Sequence, residues 1–296
     1  MTESPIIEVT DLTVDYGSYQ AVRGVSFDVR PGELYALLGT NGAGKTSTLE
    51  TVEGHRAPSS GQVRVFGHDP QDRKSVRPRT GIMLQESGFA PDLTVRETVG
   101  LIGKLSDRDD DVDRVLSVVD LDGKRSTKVS QLSGGEKRRL DFATAIFGSP
   151  DLVFLDEPTT GLDIQARDAL WRAVDRLRDD GATVVLTTHY LEEAQQRANR
   201  IGLMHQGVVQ LEGTVAELTA ALPSTIRFDQ PSLVPPLPAR KESPGTLLVE
   251  TTDLQRDLHA LLTWAEDNAI RLDGLSAGPT RLDDVFRTLA TERRDA

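Results

Sequence analysis

Gly39-Thr40-Asn41-Gly42-Ala43-Gly44-Lys45-Thr46-Ser47 is the stretch whose reading decides the fold, because it is suited to holding a chain of phosphates. Its pattern, G-x-x-x-x-G-K-[ST], works as a phosphate-binding loop only between a strand and a helix. Both are expected here. Glu33-Leu34-Tyr35-Ala36-Leu37-Leu38 is an apolar run of buried-strand type, and Thr46 to Val52 reads as the first turns of a helix. Gly39, Gly42 and Gly44 let the backbone curl so that successive N–H groups, those of Asn41 and Ala43 among them, converge on anionic oxygens at the positive end of that helix. Lys45 adds a point charge for the β- and γ-phosphates, while the Thr46 hydroxyl suits a magnesium ion and Ser47 a further phosphate contact. The loop by itself predicts a bound nucleotide and leaves the purpose open.

Composition narrows the purpose. The 296 residues suffice for one good-sized domain and a smaller one, and 38% hydrophobic with 27% charged residues is ordinary for a soluble protein. No run approaches the roughly 18 apolar residues that cross a bilayer, and Met1-Thr2-Glu3-Ser4-Pro5 is not of signal-peptide type. Any service to a membrane is therefore expected to be peripheral. A net charge of −12 argues against general nucleic-acid binding, which needs clustered lysine and arginine. With no cysteine, disulfides, thiol catalysis and cysteine metal sites are excluded, and His55, His68, His189, His205 and His259 have no metal-ligand spacing.

Around the loop, Ile6-Ile7-Glu8-Val9, Leu12 to Tyr16, Val25 to Val29 and Gln62 to Phe66 read as short strands of an antiparallel layer beside a nucleotide core. Tyr16 stands at a strand end, where its ring can stack on adenine or simply sit half-exposed. Gly81-Ile82-Met83-Leu84 is a further strand with Gln85 at its tip, and Leu93-Thr94-Val95-Arg96-Glu97 reads as a capped helix start. The acidic run from Asp107 to Asp113 is expected to be a solvated approach to a helix. In Leu132-Ser133-Gly134-Gly135-Glu136, Ser133 is an N-cap with Glu136 three residues on, and the glycines allow close approach to a ligand: a second anion-ready helix start. Leu152-Val153-Phe154-Leu155 then delivers Asp156 and Glu157 at the carboxyl end of a strand, where α/β sites form.

With these residues in view, the sequence resembles the ATP-binding subunits of ABC transporters. It carries, in family order, an aromatic at Tyr16, the P-loop, Gln85 as the Q-loop, the LSGG run from Leu132 to Gly135, the Walker B pair Asp156-Glu157, Gly161-Leu162-Asp163 as the D-loop, and His189 after the strand Thr183 to Thr188. The resemblance spans about three quarters of the chain. It implies an α/β fold with a P-loop NTPase core, an antiparallel β layer and an inserted helical subdomain at residues 86–150, within a nucleotide-binding domain at residues 1–222. It also implies ATP and Mg2+ as cofactors, with Asp156, Thr46 and Gln85 around the metal, and Glu157 as the base that orients the attacking water. Lys45, Gln85 and His189 would surround the γ-phosphate. In the family two copies pack head to tail, so that Ser133, Gly134 and Gly135 of one close on the ATP of the other and Asp163 crosses the interface. Members often have Gln where Glu136 stands; the carboxylate keeps the capping geometry and adds negative charge near a phosphate site.

Residues 223–296 are expected to form a small α/β accessory domain behind a stiff linker or edge segment marked by Pro231, Pro235, Pro236, Pro238 and Pro244. Thr246 to Glu250 reads as a strand, Leu254, Leu258, Leu261 and Ala265 share a helical face, Trp264 is expected to pack, and Leu282, Val285, Phe286 and Leu289 form another stripe. Arg281-Leu282-Asp283-Asp284-Val285-Phe286 and Pro91 to Glu97 resemble segments of the drug-export and antibiotic-resistance branch, whose ATPases work with a separately encoded permease at the cytoplasmic face of the membrane. An importer ATPase and a soluble regulatory or mechanochemical ABC protein stay open as alternatives. The single nucleotide unit and the lack of a long heptad insertion weigh against the latter.

Overall fold

The computed structural model describes residues 4–83, 88–220, 223–279, 282 and 284–285. Its strands and helices run, in chain order, β1 (Ile7–Tyr16), β2 (Tyr19–Val29), β3 (Leu34–Gly39), α1 (Lys45–Val52), β4 (Ser60–Val65), α2 (Arg73–Val76), β5 (Thr80–Met83), α3 (Val95–Leu105), α4 (Val112–Val118), α5 (Gly134–Ile146), β6 (Leu152–Asp156), α6 (Ile164–Asp179), β7 (Thr183–Thr188), α7 (Leu191–Arg197), β8 (Arg200–His205), β9 (Val208–Gly213), α8 (Val215–Ala220), β10 (Ser224–Asp229), β11 (Ala239–Ser243), β12 (Thr246–Thr251), α9 (Leu254–Asp267) and β13 (Ser276–Gly278). Contacts divide the chain into two units, Met1–Glu212 and Gly213–Ala296.

The first unit is organised by a six-stranded sheet of order β5-β6-β7-β3-β8-β9. β3 and β7 are buried along their whole length, as unbroken apolar runs are when helices cover both faces. The pairs β3–β7, β3–β8, β5–β6 and β6–β7 are all parallel, so the carboxyl ends of β3, β6 and β7 lie along one edge. Leu38 faces Thr188 and Asp156 faces Thr187 in register. That edge carries the site.

The antiparallel layer forms as expected, in the order β2-β1-β4. The segments Ile6–Val9 and Leu12–Tyr16 are one strand, however, bent at a bulge where Asp11 takes φ 47°. Gly61 is needed opposite that bulge, since a Cβ there would collide with the Thr10 and Asp11 carbonyl oxygens. Val14, Val22 and Val25 of this layer share a core with Leu49 and Val52 of α1. Phe27 stacks on Tyr35 at 5.3 Å, tying the layer to the parallel sheet.

The helical segment opens with α3, capped by the reciprocal Thr94 and Glu97 box, as its sequence predicts. The acidic run before α4 departs from expectation. Asp110 is only 8% exposed in its side chain; it pairs with Arg114 and accepts from the Gly148 N–H at 2.8 Å, so it links the segment to the end of α5 instead of being solvated. Asp111 caps α4, and Asp113 binds Arg96.

The second unit holds a four-stranded sheet of order β11-β12-β10-β13. α9 packs on it through Leu261, Leu254, Leu258 and Trp264, against Ile226, Phe228 and Val249. The passage containing Pro231, Pro235, Pro236 and Pro238 runs between β10 and β11, inside this unit, and feeds an edge strand on which Arg240, Lys241 and Glu242 stay exposed. Leu282 and Val285 are buried; Phe286 and Leu289 lie outside the described residues. Among the described residues no helix is long and apolar enough to cross a membrane.

Candidate functional site

The loop between β3 and α1 is shaped by its glycines in two ways. Gly42 and Gly44 hold φ of 78° and 100°, where a side chain is strained. Gly39 and Gly44 are also hemmed in. A Cβ on Gly39 would strike the Met204 carbonyl oxygen, and one on Gly44 would lie 2.5 Å from the Ala21 oxygen and 2.8 Å from Met204 Cε. Gly44 is the N-cap of α1 and supplies no side-chain hydrogen bond, so the first N–H groups of that helix are left for a ligand. Asn41, Gly42 and Thr46 are exposed while Ala43 is buried beneath them.

Lys45 is buried, with Nζ donating to the Gly39 oxygen at 2.7 Å and the Thr40 oxygen at 3.3 Å. Burial lowers its pKa, opposed by the charges of Glu157 and Asp156. The ammonium therefore feels both carboxylates across the sheet edge. Tyr16 is 44% exposed; its hydroxyl meets Ser47 Oγ at 3.1 Å, and the Arg56 guanidinium covers its ring at 4.3 Å. The tyrosine is thus coupled to the loop through Ser47.

Asp156 ends β6 and receives a hydrogen bond from the Thr187 hydroxyl of β7. Glu157 follows in the left-handed region, φ 45°, with its N–H donating to the Thr187 oxygen at 3.0 Å. Such a conformation in glutamate costs on the order of 1–3 kcal/mol and persists only when surroundings impose it. Arg138 of α5 imposes it here. Buried in place, it donates to the carbonyl oxygens of Asp156 (2.8 Å), Glu157 (2.9 Å) and Pro158 (3.0 Å), holding the turn that lifts the Glu157 side chain. Glu157 Oε2 accepts from the Thr160 hydroxyl at 3.1 Å and lies 3.1 Å from His189 Nδ1, at the end of β7. Carboxylate and imidazole thus meet after β6 and β7, and the Lys45 ammonium, at the start of α1 after β3, carries charge to the same edge.

Ser133, Gly134 and Gly135 stand apart from this group. No hydrogen bond or ion pair among the described residues links them to the phosphate-binding loop. Ser133 Oγ accepts from the Glu136 N–H at 3.2 Å, and Glu136 Oε2 accepts from the Ser133 N–H at 2.8 Å. A Cβ on Gly134 would meet open space, whereas one on Gly135 would lie 3.1 Å from Ala166 Cβ, because the start of α6 packs there. Asp163 caps α6 by accepting from the Ala166 N–H at 2.8 Å. Gln85 lies outside the described residues.

Two residues at the site were invisible in the sequence reading. Arg138 sits among charged neighbours on a helix, and nothing local marks it as the side chain that turns inward. Lys124 places Nζ 3.0 Å from Glu136 Oε1, so the negative charge expected beside the helix start is paired.

Comparison with known proteins identifies the family. Residues 22–160 match the family model described as ABC transporter, and residues 216–280 match that described as ABC transporter domain-containing protein-like, C-terminal domain. The chain is 38% identical over 295 residues to Nod factor export ATP-binding protein I of Paraburkholderia xenovorans, covering 96% of each chain. It is 34% identical to the daunorubicin/doxorubicin resistance ATP-binding protein DrrA of Streptomyces peucetius, covering 98% of this chain and 93% of that one. Among solved structures, the ATP-binding subunit of an ABC transporter superposes with a TM-score of 0.67 at 26% identity, over 73% of this chain and 92% of that one. A dimeric ATP-binding cassette in a post-hydrolysis state with ADP and Pi superposes with a TM-score of 0.64 at 25% identity, over 70% and 98%.

Proposed function

The chain belongs to the ATP-binding proteins of ABC transporters, and from that premise we propose that it is the ATP-hydrolysing subunit of an exporter for drug-like or other hydrophobic compounds. The observation that carries the catalytic part is the 3.1 Å contact of Glu157 with His189 at the edge where β3, which leads to Lys45, and β6, which ends at Asp156, also finish. Phosphoryl transfer asks mainly for positioning and charge neutralisation, and these groups supply both. The loop amides and Lys45 bind the β- and γ-phosphates, and Tyr16 offers a ring to adenine. Glu157 takes a proton from the attacking water, and His189, within hydrogen-bond distance of that carboxylate, orients it toward the γ-phosphate. Thr46 and Asp156 are oxygen donors of the kind Mg2+ prefers, with Gln85 completing the set, and the ion neutralises phosphate charge when bound.

The start of α5, which among the described residues makes no hydrogen bond or ion pair with the phosphate-binding loop, is the segment suited to complete the site of a second copy. Ser133, Gly134 and Gly135 would close on the partner's nucleotide, Asp163 would lie at the seam, and hydrolysis would let the copies part. The export direction is supported by the names of the relatives that match almost the whole chain. Membrane-spanning partner subunits would supply the path, with this chain peripheral at the cytoplasmic face and residues 213–296 as an accessory domain. The test is coexpression with candidate permeases. Co-purification together with ATPase activity that rises in the complex is expected; a chain that hydrolyses ATP yet binds no membrane protein would overturn the transport reading.

A further inference from the structure

The capping box of α5 has a twin that lacks one component. In α3, Glu97 accepts from the Thr94 N–H and hydroxyl, both at 2.8 Å, and among the described residues no lysine or arginine is ion-paired with it; Lys128 acts on it by charge alone, its Nζ lying 3.7 Å from Asp92. In α5 the same box carries Lys124, whose Nζ lies 3.0 Å from Glu136 Oε1 while Oε2 serves the Ser133 N–H. The Lys124 side chain is 44% exposed, but the backbone that carries it is held. It ends a tight turn in which its N–H donates to the oxygen of fully buried Leu121 at 2.9 Å and its own oxygen accepts from Thr127 at 2.8 Å. Arg139, one turn along α5, clamps the same region by donating to the oxygens of Val119 (3.3 Å) and Asp120 (3.1 Å). The ammonium thus reaches the carboxylate from an ordered turn, on a half-exposed side chain.

We propose that Lys124 is a positioning residue that neutralises Glu136, keeping the start of α5 attractive to the γ-phosphate held by a second copy of the chain. This rests on the proposed closure of α5 over the partner's nucleotide. A bare carboxylate three residues into that helix would cancel much of the positive field of its N–H groups and repel the phosphate. Glu136 is kept ionised, its pKa lowered first by the Ser133 N–H and then by Lys124, so its charge must be answered over the whole physiological range.

The test uses the full-length protein with Lys124→Met, Glu136→Gln and both together, each also on a Glu157→Gln background for ATP-induced dimerisation. Lys124→Met is expected to raise KM for ATP roughly three- to tenfold, with kcat within about twofold, and to weaken dimerisation by a similar factor. Adding Glu136→Gln, which keeps the capping geometry and removes the charge, restores both to within about twofold of wild type. Salt narrows the gap between single and double variants. An unchanged KM in Lys124→Met, or a double variant as impaired as the single one, in a protein that otherwise hydrolyses ATP as a dimer, overturns the inference and leaves the functional reading standing. A wild-type chain that hydrolyses ATP without pairing overturns both.

Discussion

Two helix N-termini in this molecule face anion chemistry in opposite ways. At α1 the cap is glycine, no side chain takes the first N–H groups, and a buried lysine stands beside them. At α5 the cap is a complete reciprocal box, with Ser133 and Glu136 each satisfying the other and Lys124 behind. The contrast shows one terminus with free N–H groups for a ligand and one whose cap is satisfied within itself, which the proposed function assigns to a site on a second copy. α3 serves as the internal control: it carries the α5 box without any glycine pair, and so marks what capping does for stability alone.

The largest expected effect tests whether chemistry belongs to the α1 side. Glu157→Gln should lower ATP turnover by on the order of 10²–10⁴ while nucleotide binding persists, measured by single-turnover phosphate release alongside equilibrium binding. A fully active variant would remove the base from the scheme. Ser133→Arg should come next, abolishing ATP-induced dimerisation on sizing chromatography while monomer binding to the α1 loop survives; lost monomer binding would contradict the division between the two helices.

Arg138→Met probes the strut between them. With three carbonyl oxygens losing the Arg138 donor, although that of Glu157 keeps the Thr160 N–H at 3.3 Å, it should cost about 2–4 kcal/mol of stability and reduce kcat roughly tenfold with little change in ATP affinity, because the turn bearing Glu157 loosens. Calorimetry and steady-state kinetics would check the two parts separately. Thr94→Ala and Ser133→Ala should each cost about 1 kcal/mol in unfolding experiments, yet only Ser133→Ala should alter ATPase activity. Equal effects on activity would erase the distinction between α3 and α5.

The smallest effect is in acid. Backbone and side-chain donors at Thr94 lower the pKa of Glu97, and those at Ser133 with Lys124 lower that of Glu136. A depressed carboxyl stabilises the fold above the ordinary glutamate range, and that contribution is lost as pH falls through the folded value. Unfolding midpoints recorded from pH 6 downward should therefore fall less steeply in Glu97→Gln and Glu136→Gln than in wild type. Identical slopes would count against both caps.

The features legible in the chain are those whose partners are close in sequence. The loop from Gly39 to Ser47 and the boxes at Thr94 and Ser133 each close their hydrogen bonds within a few residues, so residue type and spacing determine them. The apolar runs ending at Gly39 and Asp156 likewise determine buried parallel strands, and with them that the lysine and the two carboxylates share an edge. What only the tertiary structure decided are contacts between distant segments. Arg138 turns inward because α5 packs beneath the β6 turn, the Asp110 carboxylate is shielded because it accepts from the Gly148 N–H and pairs with Arg114, and Lys124 meets Glu136 because Leu121 anchors its turn in the core. A charged residue reads the same in sequence whether water or a protein group answers its charge; which one does is settled by the packing of elements far apart along the chain.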